Sequence, residues 1–269
     1  MTSKFAVGLP SSNDLPSSDD LPSAADQPSL AGPSGTGSGG TRVLGALTLV
    51  GIALVAFLAF VATPADSDMG DTVRLIYVHV PIVSVAYLGI VIATIGSIAF
   101  LWKRSEWWDL VASSSAEVSA VLMGLTLVVG MIWGKPTWGV YWVWDARLTS
   151  TLVLFLLLLG YQAVRRTSVD PWVRGKRSAI VGLLLLPNVL IVNRSVEWWR
   201  SLHQEPTLLR LDPTIEGLQL FTLVLAIGVT ALMFVWLAVH RFRLAWLQDR
   251  VDRRLLVDAI EDRRSEVTV

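Results

Sequence analysis

Six long apolar stretches run through this chain, separated by short polar clusters. They cover about 43–62, 80–102, 111–132, 148–164, 179–192 and 217–239. A helix needs roughly 20 apolar residues to cross the hydrocarbon core of a bilayer. Backbone groups in lipid must also pair within their own segment. The pattern therefore predicts an all-α integral membrane protein with six transmembrane helices. Two stretches carry polar interruptions. The third has Ser113, Ser114, Ser115 and Glu117 near its start, and the fifth is short and broken by Pro187 and Asn188. A carboxyl inside a span is costly, so Glu117 is expected near the end of its helix.

The flanks differ from this central block. Residues 1–41 are rich in Ser, Pro, Gly, Ala and Asp. Such a segment buries too little apolar surface to offset the entropy of ordering it, so it is expected to be a disordered cytoplasmic tail. It has neither the basic start nor the early apolar core of a signal peptide. Residues 42–240 form the expected membrane domain. Residues 241–269 alternate Arg with Asp and Glu, as a charged cytoplasmic helix near lipid headgroups would. Composition agrees with this division: 53% of residues are hydrophobic and only 16% charged, against about 25% charged in soluble domains. There are no cysteines, which excludes disulfides, thiolate metal sites and thiol chemistry.

Charge orients the spans. With six crossings, both tails share one side with the loops near 103–110 and 165–178. That side holds sixteen of the 22 Lys and Arg residues, including Arg165, Arg166, Arg174, Lys176 and Arg177 in one loop. Positive charge in short loops marks the cytoplasmic side. Both termini are thus expected in the cytoplasm. The arginines lie where lipid headgroups would meet them, and nothing points to nucleic acid.

The expected external side carries the unusual chemistry. Segment 133–147 holds Trp133, Trp138, Trp142 and Trp144, together with Tyr141, Asp145 and Arg147. Tryptophan and tyrosine commonly anchor helix ends at the membrane interface. Four indoles in so short a stretch point further, to a platform for a flat aromatic ligand. His79 opens the second span, and His203 follows the fifth. An even number of crossings separates them, so both face the side of the tryptophans. The third histidine, His240, ends the last span among arginines and reads as a headgroup contact. Trp102, Trp107, Trp108 and Trp172 fall at the opposite end, as interfacial anchors. Trp198 and Trp199 adjoin His203 without a clear role.

Two imidazoles beside an indole floor suit haem, which takes axial histidines on both faces of its iron. Its propionates call for arginine. Arg147, Arg194 and Arg200 are the candidates, with Arg74 and Lys135 behind them. Asp145 is placed to steady Arg147 or an indole. The expected metal ligands are His79 and His203. The expected cofactor contacts are Trp133, Trp138, Trp142, Trp144, Asp145 and Arg147.

The run W-G-x-x-x-W-G-x-x-W-x-W-D-x-R-L-T, from Trp133 to Thr149, resembles the tryptophan-rich "WWD" signature of haem-handling proteins in cytochrome c assembly, and the CcmC type in particular. The resemblance covers about residues 41–239. It implies transient haem b at the external face of the bacterial cytoplasmic membrane, with His79 and His203 as the two axial ligands and the WWD segment as the platform. It further implies delivery to a membrane-tethered haem chaperone of the CcmE type. A CcmA/CcmB-like ATP-binding cassette pair and a CcmD-like small membrane protein are the implied partners. The sequence has no nucleotide motif, no cysteine nucleophile and no carboxylate dyad, so the expected task is holding and presenting, not catalysis.

Three other architectures would use these residues differently. A CcsA-like synthetase core shares a WWD segment but uses more spans and histidines within the membrane, and no histidine here lies mid-span. A b-type electron-transfer cytochrome places its ligands inside the bundle. A haem-free secondary transporter would have broken helices near the midplane, for which only Pro187-Asn188 offers a hint.

Overall fold

The computed structural model describes residues 36–65, 69–168, 170–203 and 215–267. The expected disordered tail falls mainly on residues 1–35, outside the described residues. Six helices are long and apolar enough to cross a membrane, as the hydropathy pattern predicts. They are α1 (Gly39–Phe57), α2 (Ile76–Lys103), α3 (Glu106–Trp138), α4 (Ala146–Arg165), α5 (Pro171–Trp198) and α6 (Gly217–Val267).

Two of the helices, α1 and α5, begin on side-chain caps. Ser38 and Thr41 form a reciprocal capping box at the start of α1: the Ser38 hydroxyl accepts from the Thr41 N–H, and the Thr41 hydroxyl accepts from the Ser38 N–H. The helix therefore enters before residue 42. It widens at its far end into a π-helical turn, Leu58–Ala62, and the Arg74 guanidinium takes up the Ala59 carbonyl there. Arg74 itself sits in a 3₁₀ turn, Asp71–Leu75, that leads into α2.

The fifth helix departs from expectation. Its pattern suggests a short, interrupted span, but α5 runs unbroken for 28 residues through Pro187. Pro171 opens the helix, and the Asp170 carboxylate accepts from the N–H groups of Trp172 and Val173, at 2.7 and 3.0 Å. A good N-terminus lets the basic turn 174–177 join the helix. Packing between helices tolerates the missing N–H of Pro187. The sixth helix also differs in extent. It has 51 residues, about 75 Å at 1.5 Å per residue, and passes through the 240/241 boundary without a break. Beyond Gly228 it contains neither Gly nor Pro, so nothing in the sequence stops it.

Helices α2 and α3 pack along most of their length. In lipid there is little hydrophobic drive between helices, and small residues that allow close approach hold them together. A Cβ on Gly89 would collide with Ser119 of α3 and the Phe234 ring of α6. Gly89 thus lets three helices meet. Along α3, Ser119, Leu122, Met123 and Thr126 are buried, whereas Val121, Leu125, Val128 and Ile132 are exposed, as the lipid-facing stripe would be. Ile90, Leu154, Leu158, Tyr161, Leu185 and Val192 complete the core.

One end of the bundle is tied by charge. Arg165 grips Asp109 through two hydrogen bonds, 2.6 and 2.9 Å, and also reaches Ser178. Arg174 pairs with Asp249, Arg253 with Glu106, and Arg241 with Glu117. Glu117 thus has its counter-ion on α6. Trp107, Trp108 and Trp172 gather at this end, with Lys103 and Arg104 against their rings.

Candidate functional site

The opposite, tryptophan-rich end holds a cavity of about 730 Å³, within the size range of small-molecule and cofactor sites. Its walls are mostly apolar, from Ile76, Val80 and Val83 of α2, Leu127 of α3, Leu148 of α4 and Ile227 of α6. Into this lining project two imidazoles, His79 and His203, two indoles, Trp133 and Trp138, and one guanidinium, Arg147.

The indoles belong to helix. Whereas the pattern ends the third span near residue 132, α3 continues to Trp138, with Pro136 in its last turn. Gly139 then stops it with a left-handed backbone, φ +79°, which glycine adopts at low cost. The Lys135 ammonium donates to the Gly139 carbonyl at 2.8 Å. Trp133 and Trp138 therefore stand on a rigid element. Each meets one histidine edge-on: Trp133 lies 5.7 Å from His79 at 71°, and Trp138 lies 4.7 Å from His203 at 69°. In this arrangement the two indoles brace the imidazoles.

Gly130, one turn before Trp133, makes room for His79. A Cβ there would lie 3.1 Å from His79 Cε1. The His79 Nδ1 atom is buried and has no hydrogen-bond partner among the described residues, and the same holds for Trp133 Nε1.

His203 is held differently. Its Nδ1–H donates to Asp145 Oδ2 at 2.6 Å. The Ser201 hydroxyl donates to the same oxygen at 2.9 Å and accepts from the His203 backbone N–H at 3.1 Å. Asp145 is the residue before α4, a position where aspartate usually caps the helix. Here its side chain makes no such bond and turns to His203. The sequence pointed Asp145 toward Arg147 or an indole; its hydrogen bonds go to His203 and Ser201, while its charge also acts on Arg147. Burial pushes the His203 imidazole below the ordinary histidine value, against the opposing pull of the Asp145 carboxylate. The ring is then neutral near pH 7. With Nδ1 committed to Asp145, its free lone pair is on Nε2.

The remaining candidates divide. Arg147 lines the cavity and approaches the Asn193 carbonyl at 3.5 Å. Arg194 pairs with Glu197, Arg74 with Asp71, and Lys135 lies over the Tyr141 ring. Arg200 lines a smaller recess with Trp144 and Asp145. Trp142 and Trp144 pack edge-on against each other outside the main cavity, and Trp144 is 77% exposed. Trp198 and Trp199 form a similar exposed pair. His240 lies edge-on to Trp236. Sequence reasoning missed Gly130 and Ser201, because a single glycine in a membrane helix and a single serine in a loop carry no motif.

A porphyrin iron already holds four ring nitrogens and lacks two axial donors. Among the described residues no three His, Asp or Glu side chains cluster as a metal site. A pair of imidazoles on an apolar cavity, with one arginine, fits a bound haem better than a bare ion.

Comparison with known proteins adds a second line. Residues 37–257 match the family model described as heme exporter protein C. The chain is 35% identical over 210 residues to heme exporter protein C of Haemophilus influenzae, covering 77% of this chain and 84% of that protein. It is 35% identical to the Bradyrhizobium diazoefficiens protein of the same name, covering 77% and 79%. Against the Escherichia coli protein it is 38% identical over 158 residues, covering 57% and 64%.

Proposed function

Since the chain belongs to the heme exporter protein C family, whose members handle haem for cytochrome c maturation, we propose that it holds haem b in the cavity at its tryptophan-rich end and hands it to a haem chaperone. His79 and His203 supply the two axial nitrogens. The apolar walls cover the macrocycle, and Arg147 meets a propionate. Trp133 and Trp138 set the imidazole planes. Trp142 and Trp144, turned outward, offer a surface to the acceptor. The chain sits in the bacterial cytoplasmic membrane with both termini inside and segment 133–147 outside. Its acceptor is CcmE-like, and its neighbours are a CcmA/CcmB-like cassette pair and a CcmD-like small protein.

One observation carries this reading. Two histidines 124 residues apart in sequence line a single cavity, each braced by a tryptophan of one helix. Such a site retains cargo without transforming it. Haem enclosed on all sides would be slow to leave, whereas a cavity at the end of the bundle leaves an edge exposed for transfer.

The absorption spectrum of the purified protein tests the proposal. The wild type is expected to show a low-spin, six-coordinate haem. His79→Ala and His203→Ala are each expected to lose that signature and to block maturation of c-type cytochromes. A low-spin spectrum that survives in both variants would refute the ligand assignment.

A further inference from the structure

The two histidines of the cavity are not equivalent. His203 donates its Nδ1–H to a carboxylate, Asp145, at 2.6 Å, and that carboxylate is almost wholly buried, its side chain 4% exposed. Ser201 locks the same carboxylate oxygen and the His203 backbone into one hydrogen-bonded ring. A histidine whose distal N–H is given to a carboxylate is a more basic and better oriented metal ligand, and loss of such a partner typically costs about 10–100-fold in affinity. His79 has no such support. Its Nδ1 is buried with no hydrogen-bond partner among the described residues. Among the described residues, the edge of Trp133 flanks its ring and the gap at Gly130 accommodates it, and no acceptor polarises it through Nδ1.

We propose that this asymmetry sets the order of release: His203, backed by Asp145, is the retained axial ligand, and His79 is the ligand that leaves first when the cargo passes to its acceptor. The inference rests on the bis-histidine reading above. It makes Asp145 a positioning residue acting through His203. The step is a substitution at iron. The iron–nitrogen bond to His79 breaks, and a bond to a neutral donor of the acceptor, such as another imidazole, forms. No electron is transferred, and no proton is gained or lost.

The test uses the full chain, purified and loaded with haem. It compares wild type, His79→Gly, His203→Gly, Asp145→Asn and Ser201→Ala. Two quantities are read: the rate of haem loss to excess apomyoglobin, and the spin state with and without added imidazole. His79→Gly is expected to keep its haem through gel filtration in a high-spin form that free imidazole returns to low spin. His203→Gly is expected to lose haem at least tenfold faster than His79→Gly, in line with the effect of a missing ligand support. Asp145→Asn keeps an acceptor for the Nδ1–H but removes its charge. It is expected to speed haem loss about 10–100-fold and to raise the haem midpoint potential, which a merely structural role would not do. Ser201→Ala should shift both readings in the same direction, by less.

Equal haem loss from the two glycine variants would overturn the proposal, as would wild-type loss rate and potential in Asp145→Asn. Should His203→Gly fail to accumulate, the Asp145→Asn comparison decides alone. Failure of the underlying reading looks different. In that case wild type carries no low-spin haem, or neither glycine variant alters it.

Discussion

Gly130 offers a sharp test because two opposing effects act on it and only one reaches the site. A glycine inside an α-helix costs about 1 kcal/mol relative to alanine. Gly130→Ala should recover part of that. The new Cβ, however, would lie 3.1 Å from His79 Cε1, closer than an ordinary carbon contact of about 3.5–4.0 Å. The ring must move by several tenths of an ångström, and overpacking of this kind costs about 1–3 kcal/mol. The net change in fold stability is therefore small, between about 0 and 2 kcal/mol of destabilisation. The displacement falls on a proposed axial ligand that already lacks hydrogen-bonded support. Low-spin haem per protein should drop several-fold in favour of the high-spin form, and Gly130→Val should leave none. The assay pairs haem content per protein with a thermal melt in detergent. Gly160→Ala is the control, since a Cβ there meets nothing within 4 Å; it should match or exceed wild-type stability with its haem spectrum intact. Gly130→Ala with full haem content and an unchanged spectrum would refute the placement of His79 in the site.

Four further outcomes follow from the geometry. Asp109→Ala strands the nearly buried Arg165 guanidinium, a type of loss that costs about 3–5 kcal/mol, and the melt should show it. Trp138→Ala removes the edge contact that braces His203, worth about 0.5–1.5 kcal/mol, or up to roughly tenfold in haem affinity. Trp144→Ala should spare haem content and impair only chaperone loading, and equal effects of the two substitutions on haem would contradict the division of the tryptophans. The His203 value is lowered by burial, so its neutral form and the stability it supports are complete above about pH 6.5, the unperturbed value. The neutral form persists until pH falls through the lower folded value, while the stability it supports declines from about pH 6.5 downward. A spectral transition of the loaded protein centred above that pH would contradict this sign.

Much of the architecture is legible from the chain because lipid imposes a strict rule on backbone polar groups. Six apolar runs became six helices, and the parity of crossings brought His79 and His203 to one end. Boundaries were less legible. Hydropathy registers where apolar residues stop, whereas a helix stops where its hydrogen bonds lose partners. Hence α3 runs on to Gly139, and α6 continues through Arg241 into a charged stretch that remains strongly helix-forming. Within the site, residue types were visible but their pairings were not. Asp145 reads as a support for Arg147 or an indole, and only tertiary structure turns its carboxylate to a histidine 58 residues away. Four indoles in one segment read as a single platform, yet the end of α3 separates Trp133 and Trp138 in the cavity from Trp142 and Trp144 outside it.

The distribution of polar ties suggests why the cavity forms at this end. At the arginine-rich end, charged pairs join α3 to α4, α5 to α6, and α3 twice to α6. These bonds fix the helices where they converge. At the tryptophan-rich end the ties between elements include the Asp145–His203–Ser201 ring and the reach of Arg147 to Asn193. Between α2, which carries His79, and the segment that carries His203, the cavity itself intervenes. A ligand bound by both imidazoles would bridge that gap, and a ligand that binds only the folded state stabilises it in proportion to its affinity. Loading should therefore stiffen the tryptophan-rich end far more than the arginine-rich end. Hydrogen exchange at the start of α2 and around Ser201 would report it. Equal protection at both ends on loading would mean that the two imidazoles do not share one cargo.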